Sequence, residues 1–217
     1  MQRLRVRFSR GEELKFISHL DIMRLWQRAL QRAGIPLAYS EGFSPHPRLS
    51  LAAPLAVGIT SQAELMDIFC GKWVSPHFFT NAVSQQLPAG IEIMQVNSVA
   101  PTMPSLQSQV GFTEYEVEVA TEKDKAGVES ALASLLAAGQ LPWHHQRDTG
   151  TRNYDLRALT SDLWLVDWRR GYSRLGMRLR CDSSGSGRPE QVAAALGFDH
   201  PTSIHRTKLV FKNRPGD

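Results

Sequence analysis

Residues 1–36, MQRLRVRFSRGEELKFISHLDIMRLWQRALQRAGIP, carry the two patterns from which the rest of the chain is read. Leu4, Val6 and Phe8 alternate with Arg3, Arg5 and Arg7, the period-2 signature of a strand with one buried and one open face. Further on, Ser18 stands three residues before Asp21, which places the serine as N-cap of a helix with the carboxylate completing a capping box. Ile17 and Ile22 straddle that cap at the spacing of a hydrophobic staple. Ile22, Leu25, Trp26, Ala29, Leu30 and Ala33 then recur on one helical face, and Gly34 with Pro36 ends the helix.

Beyond this strand and helix, a loop with Gly42, Pro45 and Pro47 leads to two apolar stretches, 49–57 and 64–70, that read as a strand pair. Ser75 and Pro76 open a second helix with Phe79, Ala82, Val83 and Leu87 on one face, and residues 91–96 read as a closing strand. The order is βαββαβ. Residues 99–111 hold Pro101 and Pro104 among Ser and Gln without periodicity, the composition of a linker. The pattern then restarts. Tyr115, Val117 and Val119 alternate with Glu114, Glu116 and Glu118, and Thr121 with Asp124 caps a helix bearing Val128, Leu132, Leu135 and Leu136. Residues 141–161 carry no decisive pattern beyond a short helical turn near 156–163. A hairpin over 163–168 and 175–181 turned at Gly171, a helix from Pro189 to Gly197 and a strand over 204–211 complete a second βαββαβ set. The expected fold class is α+β: tandem ferredoxin-like domains over 1–98 and 112–217, with antiparallel sheets, helices on one face and the other face open to a partner.

The 217 residues are 42% hydrophobic and 21% charged, enough apolar side chain for a sizeable core and against wholesale disorder. No apolar run approaches the ~20 residues that span a bilayer, and the start lacks a signal-peptide core, so a cytoplasmic chain is expected. Cys70 and Cys181 are too few for a disulfide framework or a cysteine-built cluster, and no metal or other cofactor is indicated. Charge is segregated: residues 1–50 hold nine Lys/Arg against four Asp/Glu, residues 51–146 three against nine, and residues 147–217 thirteen against eight. Two basic segments flanking an acidic one suit a phosphate-bearing partner and equally suit ordinary solvated faces.

The stretches FISHLD, the RALQRAG helix, SEGFSPHP and, later, NYDLRALTSDL and GRPEQVAAALG resemble an uncharacterised radical-SAM-associated domain family over most of the chain. Members occur behind a radical SAM domain or as separate short proteins, sometimes encoded near an RNase E/G-type ribonuclease. The resemblance implies an association with radical SAM chemistry and with RNA, and a radical SAM enzyme or ribonuclease as partner. This chain lacks a C-x-x-x-C-x-x-C triad and so does not itself hold the radical SAM cluster.

The candidate ligand or phosphate site joins the helix start, Ser18, His19 and Asp21, to the loop carrying Tyr39, Glu41, Gly42, Phe43, His46 and Arg48. Helix N-termini favour anions, and histidine is required by neither a cap nor a turn. Capping alone accounts for Ser18 and Asp21. Arg24, Arg28 and Arg32 recur every fourth residue and form a basic ridge, while Arg3, Arg5 and Arg7 are expected on the open sheet face used by RNA-recognition modules. No aromatic alternates with those three arginines, which counts against base stacking there. Arg178 and Arg180 are expected to neutralise the glutamates of the second unit across strands. Trp143, Trp164, Trp168, Tyr154 and Tyr172 lie among Arg147, Arg152, Arg157, Arg169 and Arg170, a mixture suited to single-stranded nucleic acid or to core packing. These features favour a non-catalytic module that binds RNA and positions it or recruits an enzyme. The alternatives are a metal-independent ribonuclease using His19 or His46 as general acid/base, and small-molecule binding at the same pocket.

Overall fold

β1 (Gln2–Arg10) turns Leu4, Val6 and Phe8 into the core, all essentially inaccessible to water. α1 (His19–Arg32) starts at the Ser18 cap and answers with Ile22, Trp26, Ala29 and Leu30. The Trp26 indole meets the Phe8 ring edge-on at 4.8 Å, an aromatic pair that contributes ~0.5–1.5 kcal/mol beyond its buried area. Gly34, at φ +66°, releases the chain from the helix. β2 (Leu49–Leu51) and β3 (Thr60–Cys70) pair antiparallel, Leu49 opposite Ile68 and Leu51 opposite Met66. α2 (Pro76–Ser84) begins at the Ser75 cap and buries Phe79 and Val83 in the same core cluster as α1 and β1. β4 (Ile93–Val99) closes the sheet, whose order is β4-β1-β3-β2 with β1 antiparallel to both neighbours.

The computed structural model describes residues 1–147 and 150–212, apart from the side chains of 146 and 147, and divides into units Met1–Val110 and Gly111–Asp217. Of residues 99–111, expected as a linker, the stretch 100–109 is tied into the first unit. A one-turn helix, α3 (Leu106–Gln109), buries Leu106, and Arg3 donates to the carbonyls of Met103 (2.6 Å) and Pro104 (2.9 Å). The cause is the arginine: a buried guanidinium requires acceptors, and backbone carbonyls of this segment supply them.

In the second unit β5 (Val110–Thr121) leads to α4 (Lys125–Ala137), with Val128, Leu132 and Leu135 buried. Its cap is Asp124 alone, whose Oδ1 accepts from the Gly127 amide at 2.8 Å; the Thr121 hydroxyl instead accepts from the Lys123 amide. The undecided stretch is a hairpin, β6 (Pro142–Arg147) with β7 (Gly150–Asp155), followed by a single turn, α5 (Leu156–Leu159). β8 (Thr160–Arg169) and β9 (Gly171–Asp182) are joined at Gly171, whose φ of +79° is the left-handed conformation a tight turn demands. β10 (Gly185–Ser186) adds to β9, α6 (Pro189–Ala195) follows, and β11 (Ser203–Phe211) lies beside β5. The main strands run β8-β9-β5-β11. Each unit thus places its first strand between its third and its last.

Candidate functional site

The polar face of α1 is where charge is concentrated and left available. The Ser18 hydroxyl accepts from the Asp21 amide (3.2 Å) and donates to Asp21 Oδ2 (2.7 Å). That hydroxyl, together with the guanidiniums of Arg24 and Arg28, holds the Asp21 carboxyl below its ordinary range. Arg24 reaches Asp21 Oδ1 at 3.2 Å, and Arg32 donates to the Gln86 carbonyl at 2.8 Å. Among the described residues Arg28 forms no salt bridge. Asp21 and the three arginines wall a groove of about 680 Å³ whose far side is Gln85, Gln86 and Pro88, with Ile17, Leu25 and Leu87 as its apolar lining. Three guanidiniums face one carboxylate. The spacing of four residues explains this wall, because successive turns of one helix stack the side chains on one face. The opposite wall comes from the turn after α2, some fifty residues away, and carries no local signal that would associate it with α1.

The arginines of β1 are placed differently. Arg3 Nε donates to Asp67 Oδ2 at 2.9 Å, and Arg5 donates to both oxygens of the same carboxylate at 2.8 and 3.1 Å. Asp67 and Arg3 are 0% and 3% exposed. Both cations are therefore engaged within the fold, and only Arg7 of the expected trio is exposed. The prediction of a three-arginine RNA face fails because β3 supplies a buried carboxylate opposite Arg5, a long-range pairing that alternation in β1 does not reveal.

The helix start and the loop are not brought together. The approach to α1 is bound to the far end of β1, where Arg10 donates to the carbonyls of Leu14, Lys15 and Ile17. The loop is anchored at the near end: Leu37 bridges Cys70, which faces Gln2, and Ala38 donates to the Phe69 carbonyl. The nine residues of β1 lie between these two anchor points, a strand length of roughly 26 Å at ~3.3 Å per residue. Ser18, His19 and Asp21 thus belong to the groove end, and Tyr39, Glu41, Gly42, Phe43, His46 and Arg48 to the opposite end. His46 is occupied within its own loop, its Nδ1 3.0 Å from the Ser40 hydroxyl and its carbonyl accepting from the Ser40 amide.

In the second unit the aromatic and basic side chains are mostly engaged internally. A Cβ on Gly176 would stand 2.0 Å from the Trp164 ring, so the indole lies directly on that glycine. The Trp168 indole donates to the Lys123 carbonyl, Tyr172 to Glu118, and Tyr154 to Gln191. Trp143 sits half-buried opposite Tyr154 in the β6–β7 hairpin. Cross-strand neutralisation is by Arg174 on Glu116 and Glu118 and by Arg178 on Glu114. Arg180, expected to join it, faces Phe112 in the register and turns to Asp182 instead. The side chain of Arg147 lies outside the described residues.

Over residues 3–189 the chain matches a family described as an uncharacterized protein conserved in bacteria, DUF2344. It belongs to that family. No curated protein sequence matches this DUF2344 chain. A crystal structure of a Cbf5-Nop10-Gar1 complex is similar to it at a TM-score of 0.53 and 7% identity, over 95% of this chain and 48% of that one. An archaeal box H/ACA sRNP Nop10-Cbf5 complex is similar at 0.48 and 9% identity, over 94% and 46%. The DUF2344 chain spans about half the length of these solved chains. At such identity the likeness concerns the fold alone, a mixed α/β architecture built on antiparallel strands. Among the described residues no helix is long and apolar enough to cross a membrane.

Proposed function

We propose that this DUF2344 chain is a non-catalytic cytoplasmic module that binds RNA in the α1 groove and positions it for, or recruits, a radical SAM or ribonuclease partner. The observation that carries the reading is the groove itself: Arg24, Arg28 and Arg32 on consecutive turns against the single carboxylate of Asp21, with polar Gln85 and Gln86 opposite. Guanidiniums in a concave setting bind phosphate bidentately and release its counterions. The two cysteines support the accessory role, because the cluster chemistry has to reside elsewhere. The separation of the two histidine-bearing segments along β1 disfavours an acid–base pair built from His19 and His46 together. In the same reading residues 1–98 and 112–217 form two ferredoxin-like domains, a reading that the strand order within each unit supports.

RNA binding by the purified chain at increasing salt tests this. Each single-strand phosphate contact contributes ~0.7 to the log–log slope, so replacing Arg24, Arg28 and Arg32 together with Ala flattens it by about 2. Thermal unfolding stays where it was, since all three residues are exposed. An unchanged slope in the triple variant refutes the groove as the phosphate site.

A further inference from the structure

The exposed aromatic rings of the first unit are not scattered. Tyr39, Phe43, Trp73 and Phe78 are exposed, Phe43 at 109%, Trp73 at 75% and the other two by about half, and only Phe16 stands elsewhere. These four lie in two segments, 39–48 and 72–78, that converge on the start of β1. Arg48 contacts the Met1 sulfur at 3.2 Å, while Val74 and Gln2 exchange two hydrogen bonds, at 2.7 and 3.0 Å. Gly71, just before the second segment, also donates to the carbonyl of Pro36, just before the first. Exposed rings on two segments that meet the same strand end leave apolar area uncovered there, and clustered apolar exposure in a folded protein marks a contact surface.

The loop presenting Phe43 is preorganised. The Ser40 amide donates to the His46 carbonyl at 2.9 Å, the His46 amide to the Ser40 hydroxyl at 3.1 Å, and Tyr39 bridges Pro47. Gly42, at φ +121°, makes the turn just before the ring. Arg48 at the base is stacked over Phe69 at 4.5 Å, which fixes its guanidinium while leaving it exposed. Lys72 is exposed beside Trp73, and within the two segments the only carboxylate is Glu41.

We propose that this end of the first unit is a stacking platform for the unpaired bases of single-stranded RNA, with Tyr39, Phe43 and Trp73 taking bases and Arg48 and Lys72 taking phosphates. The proposal rests on the RNA reading above and names its substrate class. Rings interspersed with cations match a strand that alternates π-faces with phosphates, whereas protein-docking cores are depleted of charge. A duplex offers no free base faces to rings on loop tips, which selects the single strand. His46 acts here as a positioning residue that closes the loop behind Phe43.

The experiment measures binding of a labelled oligouridine and of a duplex RNA by the full chain and its Trp73→Ala, Phe43→Ala and Trp73→Phe variants. Each alanine variant loses about five- to a hundredfold in single-strand affinity, with an unchanged salt slope and unchanged duplex binding, and Trp73→Phe retains most of the affinity. Wild-type affinity in a Trp73→Ala/Phe43→Ala double variant, while the triple arginine variant still flattens the slope, overturns the platform and leaves the RNA reading standing. No binding of either RNA by the wild type at low salt overturns both. Loss of a co-purifying protein with RNA affinity intact overturns the platform in favour of a protein contact.

Discussion

The two units place charged pairs across the same strands, first against third, with the signs exchanged. In the first unit Arg3 and Arg5 of β1 converge on Asp67 of β3, with side-chain exposures of 3%, 14% and 0%. In the second, Glu114, Glu116 and Glu118 of β5 meet Arg174 and Arg178 of β9, where Arg174 and Glu118 remain 36% and 31% exposed. The pairing geometry is the same and the solvent is not. Residues 103–104 cover the first cluster through their carbonyls, so its charges depend on each other, while water still supports those of the second. The first unit therefore spends its strand arginines on the fold and leaves its helix arginines and several loop aromatics outside, whereas the second pairs its strand charges and keeps Trp143, Trp164 and Trp168 half-buried.

The comparison breaks most readily at Asp67. Asp67→Ala strands two largely buried guanidiniums and is expected to cost ~3–5 kcal/mol in urea unfolding; a cost comparable to a surface pair would mean that water reaches Arg3 after all. Next in size is Gly176→Ala, which drives a methyl into the Trp164 ring and is expected to cost ~1–3 kcal/mol. Part of that loss returns when Trp164 is reduced to Leu in the same chain, and no recovery would place the strain elsewhere.

Ser18→Ala removes the α1 cap, at ~1 kcal/mol. It also releases Asp21: the folded carboxyl titrates below its unfolded value, so its contribution is complete above the ordinary carboxylate range and lost as pH falls through the lower folded value. Without the hydroxyl, the Asp21 titration followed by carboxyl-carbon NMR moves upward toward the ordinary value. The smallest effect belongs to the second cluster. Glu118→Ala deprives Arg174 and Tyr172 of an acceptor, and at this exposure it costs less than ~1 kcal/mol. A loss as large as that of Asp67→Ala would erase the distinction between the units.

What local pattern could show was shown. The Ser18 and Ser75 caps, the apolar stripe of α1 and the turn at Gly171 all depend on residues a few positions apart, and each appears where periodicity and capping chemistry put it. The β6–β7 hairpin escaped because the sequence Pro142–Asp155 has neither alternation nor a two-residue turn signature; its pairing is visible only in three dimensions. The groove was half legible: the arginine ridge follows from a spacing of four, but its other wall comes from the turn after α2. Trp73 and Phe78 drew no notice because single aromatics near a proline carry no pattern, and their exposure depends on what fails to cover them.

The sequence by itself determined the alternation of β1, the apolar stripe of α1, the serine caps of α1 and α2, the basic ridge and a cysteine count too low for a cluster, since these depend on neighbouring residues or on composition. Only the tertiary structure decided which charges remain available. Arg3 and Arg24 are alike as residues, yet one meets a buried carboxylate and two carbonyls while the other faces water at the rim of a groove. It likewise decided that His19 and His46 lie at opposite ends of β1 and that the loop aromatics share an end with Trp73. Burial and proximity are set by contacts between distant segments, and the free energy of a charge or a ring depends on that surrounding medium more than on its own chemistry.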